Sequence, residues 1–390
     1  MSSTLTTSVD ADPRVEAAAI APLLRERAAE AEALRTMPAD IAQKLKQAGL
    51  FRLTLPAVLG GREAHPVVTF ETIEELARAD GSGAWTTFIG NTGALLAWLD
   101  PGAARELLDG DPDRAVAGTL APLGRALPTD DGFVVSGRWP CASGVLHSEL
   151  VLGGVLVMDG EVPRMVGDRP DWRFAWFPRD AVEVIDTWHA SGLRGTGSHD
   201  IAVSDLFVPE RLTCAPMFEP ACVDAPLYRM SMYNLLAPLV SGFAAGAGRG
   251  AIDRFVEIAQ TKRRGPGLPI REDEQCQVLV AEADLQLRAA RALFVEALGA
   301  AWDTAAAGRP ADLHQRAAVI GAEQLVLRAS VDAVNTLLPF AGASAVAEDE
   351  PLQRFARDLN AARHHIAFSA DALKRVGRVV FGSDANDSML

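Results

Sequence analysis

Three stretches of this chain gather side chains that could do chemistry. The first, GRWPCASGVLHSEL at residues 137–150, sets Trp139, Cys141, Ser143 and His147 between two strand-like runs, GFVVS and LVLGGVLV. Side chains of this kind interrupt a sheet either at an ordinary turn or where the sheet walls a site. The second, TWHASGLRGTGSHDIAVSDLFVP at 187–209, clusters Gly192, Gly195 and Gly197 around Arg194, Thr196 and Ser198. A dinucleotide fingerprint needs Gly-x-Gly-x-x-Gly between a strand and a helix, so that phosphate meets a helix N-terminus. Here the order is Gly-x-x-Gly-x-Gly and a strand follows, which argues against a Rossmann site. Two readings stay open: a tight β connection, or a backbone that comes close to a flat ligand, with Thr196 and Ser198 as hydrogen-bonding groups. The third, RFARDLNAARHHIAFSADALKRVG at 354–377, carries His364 and His365. On a helix, adjacent residues point about 100° apart, so only one of the two can face a given cavity.

Other chemistries are poorly represented. No histidine stands at ligand spacing from a second histidine or a completing carboxylate, so no metal is expected. Cys141, Cys214, Cys222 and Cys276 form no C-x-x-C pair. Dispersed cysteines of this kind suit reduced thiols in a cytoplasm, with Cys141 read as a small buried hydrophobe. Neither Gly-x-Ser-x-Gly nor Gly-x-x-x-x-Gly-Lys occurs, which weakens hydrolase and nucleotide-hydrolase readings.

The elements that must position these residues fall into three parts. Residues 1–114 read as helical: RVEAAAIAPLLRERAAEAEALR is rich in Ala and Leu and lacks Gly, and PADIAQKLKQAGL starts on Pro38 and stops at Gly49. A third helix ends near Asp80-Gly81. Residues 115–225 change to short Val-, Ile- and aromatic-rich runs, with hairpin dipeptides at Asp131-Gly132 and Asp159-Gly160. Residues 226–390 return to long helices. Val280, Ala283, Leu287, Ala290, Phe294, Ala297 and Ala301 step by three and four, and a last helix is expected from about Pro351 to Phe381. Long helices with short breaks imply an up-and-down bundle. The net charge of −14 argues against nucleic acid or an anionic membrane surface as partner. No secretory signal is evident, and NLLAPLVSGFAAGAG reads as too short to span a membrane.

Together, GLFRLTLPAVLGG (49–61), GRWPCASG, the glycine cluster and PLQRFARDLNAARHH give the chain a resemblance to the acyl-CoA dehydrogenase superfamily over nearly its whole length. The resemblance implies an α+β fold: an N-terminal helical domain, a middle antiparallel β domain and a C-terminal four-helix bundle. It also implies a flavin between the β domain and the bundle. A dehydrogenase of that kind needs a carboxylate base. Yet Arg357-Asp358 is followed by LNAARHHIAFS, and the start of the bundle reads MYNLLAPLVSGFAAG, neither with a glutamate in place. What remains is similar to the flavin-dependent monooxygenases built on this fold, the oxygenase components of 4-hydroxyphenylacetate hydroxylase and its relatives, through Trp139 to Gly144 and His365.

That resemblance implies roles. Trp139, Ala142, Ser143, Arg194, Gly195, Thr196, Gly197 and Ser198 would line the flavin from the sheet side, with Ser143 near its N5 and C4a edge. His365 would face the substrate as base or hydrogen-bond donor, with His364 pointing elsewhere. Trp85 and Asn91 would wall the substrate cavity. Arg263 would reach a flavin phosphate, a task Lys262 or Arg264 could equally take. A separate NAD(P)H-flavin reductase would deliver reduced flavin (FMNH2 or FADH2). O2 would add at C4a to give a hydroperoxide that hydroxylates an electron-rich, aromatic small molecule. A homotetramer is the family habit. The competing expectations are a flavin dehydrogenase or desaturase with a non-standard base, and a binding or scaffold protein that has lost catalysis.

Overall fold

The computed structural model describes residues 11–263, 267, 269–383 and 389–390. The N-terminal part is five helices: α1 (Pro13–Leu34), α2 (Ala39–Gln47), α3 (Pro66–Ala79), α4 (Gly81–Gly90) and α5 (Pro101–Leu108). The break at Asp80-Gly81 is a junction as well as an end. Asp80 closes α3 in extended backbone and its carboxylate then caps α4, accepting the Gly83 N–H at 2.7 Å.

Ten strands follow: β1 (Val116–Pro128), β2 (Gly132–Ala142), β3 (Leu150–Asp159), β4 (Val162–Pro163), β5 (Met165–Val166), β6 (Arg169–Pro170), β7 (Trp172–Pro178), β8 (Glu183–Ile185), β9 (His199–Pro209) and β10 (Thr213–Cys214). The main sheet runs β10-β7-β3-β1-β2-β9-β8, with β4 folded back on β3. Its pairings are antiparallel except β1 with β3, which is parallel, so the sheet is mixed. The reason is the length of β2: the chain runs out along β2 and back through residues 143–149, re-entering on the other side of β1 in the same direction. Along β1 the register slips between Thr119 and Pro122 and again before Gly124, so this strand bulges at its middle.

The C-terminal helices are α6 (Met232–Thr261), α7 (Glu274–Ala306), α8 (Leu313–Ala341), α9 (Pro351–Ala362) and α10 (Ala370–Val380). The apolar stripe of α7 from Ala283 through Ala301 is buried, as its spacing requires. Contrary to the expectation of no segment of spanning length, α6 has the length and apolarity to cross a membrane, but 89% of that window is buried within the protein. Its glycines explain why. A Cβ on Gly246 would lie 2.1 Å from the Glu74 carbonyl of α3, and one on Gly242 would lie 2.6 Å from that of Phe70. The two helices pack backbone to backbone, joining the N-terminal helices to the bundle.

The expected single last helix is instead broken between α9 and α10. His365 is extended (φ −69°, ψ 146°), and its Nδ1 accepts the Ala367 N–H at 3.3 Å at the start of a short 3-10 turn, Ile366–Phe368. Gln324 of α8 donates to the Ala367 carbonyl at 2.6 Å. Side chains thus satisfy backbone groups that a continuous helix would have paired within itself.

Candidate active site

A cavity of about 490 Å³ opens where the β1 bulge, the end of β2, α4, α6, α8 and the α9–α10 break converge. Its sheet-side wall is residues 118–122 together with Pro140, Cys141 and Ser143, and with Trp172, Trp188 and Ser198. The opposite wall is Trp85 and Phe88 of α4, Leu236, Ala237 and Val240 of α6, and His365. The bulge makes the first wall possible. Gly118 sits at φ +143°, and a Cβ there would fall 1.9 Å from the Leu152 carbonyl.

Ser143 belongs to a buried relay. Trp85 Nε1 donates to Ser143 Oγ (3.1 Å), Ser143 Oγ lies 2.6 Å from Ser198 Oγ, and Ser198 Oγ lies 2.6 Å from Thr196 Oγ1. Thr196 donates to the Leu193 carbonyl at 2.8 Å. That last bond fixes the direction of the others. With the Thr196 proton committed, Ser198 donates to Thr196 and Ser143 donates to Ser198. Ser143 therefore turns a lone pair, not a proton, toward the cavity.

His365 is half-buried, with its open side on the cavity, and its ring meets Trp85 edge-on at a centroid distance of 5.2 Å and Phe88 at 6.0 Å. Burial drives its pKa down to about 4, so the imidazole is neutral at working pH. Since Nδ1 accepts from Ala367, the proton sits on Nε2, and the ring is a hydrogen-bond donor there. His364 also lines the cavity. The expectation that it points elsewhere assumed a helix, and the helix has already ended at Ala362.

The glycine cluster resolves into protein packing. A Cβ on Gly192 would lie 2.1 Å from the Arg357 carbonyl of α9, and one on Gly195 would lie 2.9 Å from Ala31 of α1. Gly197 (φ +58°) sits against Thr36. Of this loop, Leu193 and Ser198 reach the cavity; Arg194 is half-buried and Thr196 is buried, behind Ser198. Beneath the loop lies a buried acidic pair. Asp358 Oδ1 accepts the Leu193 N–H at 2.6 Å, and Asp80 caps α4 close by. Burial first, then repulsion from Asp80, raises Asp358 to about 7, and burial raises Asp80 to about 6.

Several expected contacts fall off the cavity. Trp139 is fully buried inside the sheet, its Nε1 donating to the Gly154 carbonyl at 2.7 Å and its ring packed on Gly124, Gly137 and Gly153. Ala142 is buried opposite His199. Asn91 does not wall the cavity: its amide is spent on the carbonyls of Leu50 (2.7 Å) and Thr87 (2.9 Å) and on the Thr54 N–H. Arg263 is exposed and donates to the Gly267 carbonyl at 3.0 Å, Lys262 is bound to Ala341 and Ser344, and Arg264 lies outside the described residues. His147 pairs with Thr36 at 3.0 Å. Cys141 is exposed at φ +60° on the cavity wall rather than buried. A residue that sequence reasoning missed is Glu323 of α8, a buried acid lining the same cavity.

A flavin ring suits these walls. The cavity offers an apolar slot bordered by the bulged middle of β1, Ser143, and Trp172, whose buried indole N–H has no acceptor among the described residues. Fold and site together define a flavin-binding protein of the acyl-CoA dehydrogenase type.

Comparison with known proteins agrees. The acyl-CoA dehydrogenase N-terminal domain family matches residues 16–102, and the C-terminal domain family matches 239–370. The chain is 31% identical to the flavin-dependent monooxygenase oxygenase subunit HsaA of Rhodococcus jostii, covering 95% of this chain and 99% of that one. It is also 31% identical to an indole-3-acetate monooxygenase of Acinetobacter baumannii, covering 95% of each. The crystal structure of a 3-HSA hydroxylase from Rhodococcus sp. RHA1 superposes with a TM-score of 0.90 at 29% identity, over 98% of this chain and 99% of that one. The chain belongs to the flavin-dependent monooxygenase oxygenase components of the acyl-CoA dehydrogenase fold. It is an oxidoreductase that uses flavin and O2.

Proposed function

We propose that the protein hydroxylates a small aromatic molecule in this cavity, with His365 and Ser143 as the working groups. The observation that carries this reading is a neutral His365, protonated at Nε2, lining the same apolar cavity as Ser143 and linked to it through Trp85, whose ring meets His365 and whose Nε1 bonds Ser143 Oγ. Residues 118–122, Ser143, Ser198, Trp172 and Trp188 would hold the flavin ring. Reduced flavin supplies the electrons that activate O2. Ser143 would offer an acceptor to the flavin, and Trp85 holds its rotamer by donating Nε1–H to its Oγ. His365 donates through Nε2–H to oxygen or to the substrate, in a site where its neutral form adds no charge. The aromatic walls exclude water, which protects a reactive oxygen species from wasteful breakdown. A carboxylate base of dehydrogenase type is not part of this reading: the turns of α6 on the cavity present Leu236, Ala237 and Val240, and the acid in the lining, Glu323 of α8, is buried with burial favouring its protonated form.

The finer features follow from the same reading. Reduced flavin arrives from a separate NAD(P)H-flavin reductase, in a cytoplasm whose reducing conditions suit dispersed cysteines. The chain assembles as a homotetramer, for which Val278, Leu285 and Leu293 on the exposed face of α7 offer apolar contact surface. The experiment is rapid mixing of anaerobic protein plus reduced FMN, and separately reduced FAD, with oxygenated buffer. A transient flavin spectrum distinct from both reduced and oxidised forms is the expected result. Direct reoxidation with both flavins would reject the reading.

A further inference from the structure

Glu323 stands in the middle of α8, three residues after Ile320, which also lines the cavity, and beside Gln324, which ties α8 to the segment following His365. It is 2% exposed. The other buried acids among the described residues are all held: Asp358 by the Leu193 N–H, Asp80 by the Gly83 N–H, Glu32 by Arg354 and Arg357, and Asp171 by Arg164 and Arg173. No side chain or backbone group among the described residues bonds to Glu323. Burial alone acts on it and pushes its pKa well above the ordinary carboxyl value. Burial without a partner favours the neutral, protonated form of the acid. Arg375 lines the same cavity with its guanidinium on Met389 Sδ at 3.0 Å, and among the described residues no charge counters the effect of burial on Glu323.

An unpartnered buried carboxyl destabilises a fold, so its presence in a cavity wall calls for a ligand to complete it. We propose that Glu323 is the polar anchor of the substrate subsite, recognising a hydroxyl group on an otherwise apolar aromatic molecule. The inference rests on the oxygenase reading, and it specifies the substrate class.

The chemistry selects a hydroxyl. A neutral carboxyl is donor and acceptor at once, and so is a hydroxyl, so the two satisfy each other without either carrying charge. An ammonium would bring three N–H donors into a wall that has few acceptors, and would force the acid to ionise in an apolar site. A carboxylate ligand would meet the same desolvation with only one proton to share. A ring whose hydroxyl is held at Glu323 would share the cavity with Trp85, Phe88 and His365.

The test measures binding to flavin-free protein at pH 7 with four probes of one shape: naphthalene, naphthol, naphthoate and naphthylmethylamine. Naphthol is expected to bind about tenfold more tightly than naphthalene, the size of one hydrogen bond in an apolar site. Glu323→Gln, which keeps a neutral donor and acceptor, should preserve most of that preference. Glu323→Leu should abolish it without lowering the urea midpoint. Equal binding of naphthol and naphthalene, a preference that survives in Glu323→Leu, stronger binding of the amine or acid, or no binding by any probe each overturns the proposal. So does a loss of stability in both variants, which would make Glu323 structural. The measurement uses neither flavin nor oxygen, so its failure leaves the oxygenase reading intact. A protein that binds naphthol through Glu323 yet shows no oxygen chemistry with reduced flavin loses that reading alone.

Discussion

At the scale of single residues, His365 and Ser143 divide the work by proton position. His365 keeps Nδ1 occupied by the Ala367 N–H and offers Nε2–H, whereas Ser143 spends its proton on Ser198 and offers a lone pair. His365→Ala should lower product formation by about 10²-fold or more, the usual range for a positioned proton donor, while circular dichroism and melting stay near those of the parent. Because the pKa of His365 lies at about 4, its ionisation should leave the rate flat between pH 6 and pH 8, with a decline only as pH nears that value. An inflection near the ordinary histidine value that disappears in His365→Asn would contradict the assignment. Ser143→Ala removes the middle of the relay from Trp85 to Thr196. Hydrogen peroxide release should rise relative to product, and unchanged coupling of oxygen to product would count against the role. Glu323 shows the limit of reading residues in isolation. In AVIGAEQLVLR nothing separates it from the solvated glutamates of any amphipathic helix, and only its place on α8 reveals the cavity.

At the scale of elements, glycines decide how closely loops and helices approach. Gly192 lets the loop before β9 lie on the α9 backbone, and Gly192→Ala would set a Cβ 2.1 Å from the Arg357 carbonyl. A loss of about 1–3 kcal/mol is expected from urea unfolding, since a backbone atom cannot move aside as a side-chain tip can. Gly299→Ala on α7 meets nothing within 4 Å and should stabilise by up to about 1 kcal/mol. Equal effects from the two substitutions would refute the packing account. The α9–α10 break matters equally. The repeating pattern near residues 351–381 reads as one helix because its apolar positions continue across the gap. The termination comes from His365 and Gln324, which bond to the backbone from outside the pattern.

At the scale of the whole molecule, the N-terminal helices, the sheet and the bundle meet at the Asp80–Asp358 pair, flanked by Glu32, Arg354 and Arg357. Both acids titrate higher in the folded chain, at about 6 and about 7, than their ordinary value of 3.8. The native state thus binds more protons than the unfolded one across that window. Their contribution to stability is fully present below the ordinary value and is lost as pH rises through about 6 to 7. Asp358→Asn cannot ionise and keeps an acceptor for the Leu193 N–H, so it should gain stability relative to the parent on going from pH 5 to pH 8. The gain is on the order of 1–3 kcal/mol by thermal or urea unfolding. His365 works in the opposite sense. Its folded pKa is depressed, so its contribution is present above the ordinary histidine value and is lost as pH falls toward about 4. A relative stability of Asp358→Asn that does not change with pH would show that the pair is already ionised in the folded state.

Periodicity and composition determined the three-part order of helices, sheet and bundle, because burying one face of a helix or strand imposes a local repeat that the chain must carry in its own residues. Resemblance then nominated Ser143 and His365. What only the tertiary structure decided is which side chains share a space. Trp139 and Asn91 look like site residues in the chain yet are consumed by packing and backbone hydrogen bonds, while Glu323 and His364 reach the cavity from positions with no local signal. The proton positions belong to the same level. They depend on the Leu193 carbonyl, the Ala367 N–H and the loss of water around a buried carboxyl, none of which is a property of the residue that titrates. Burial and hydrogen bonding are relations between distant segments, and they come into being only when the chain folds.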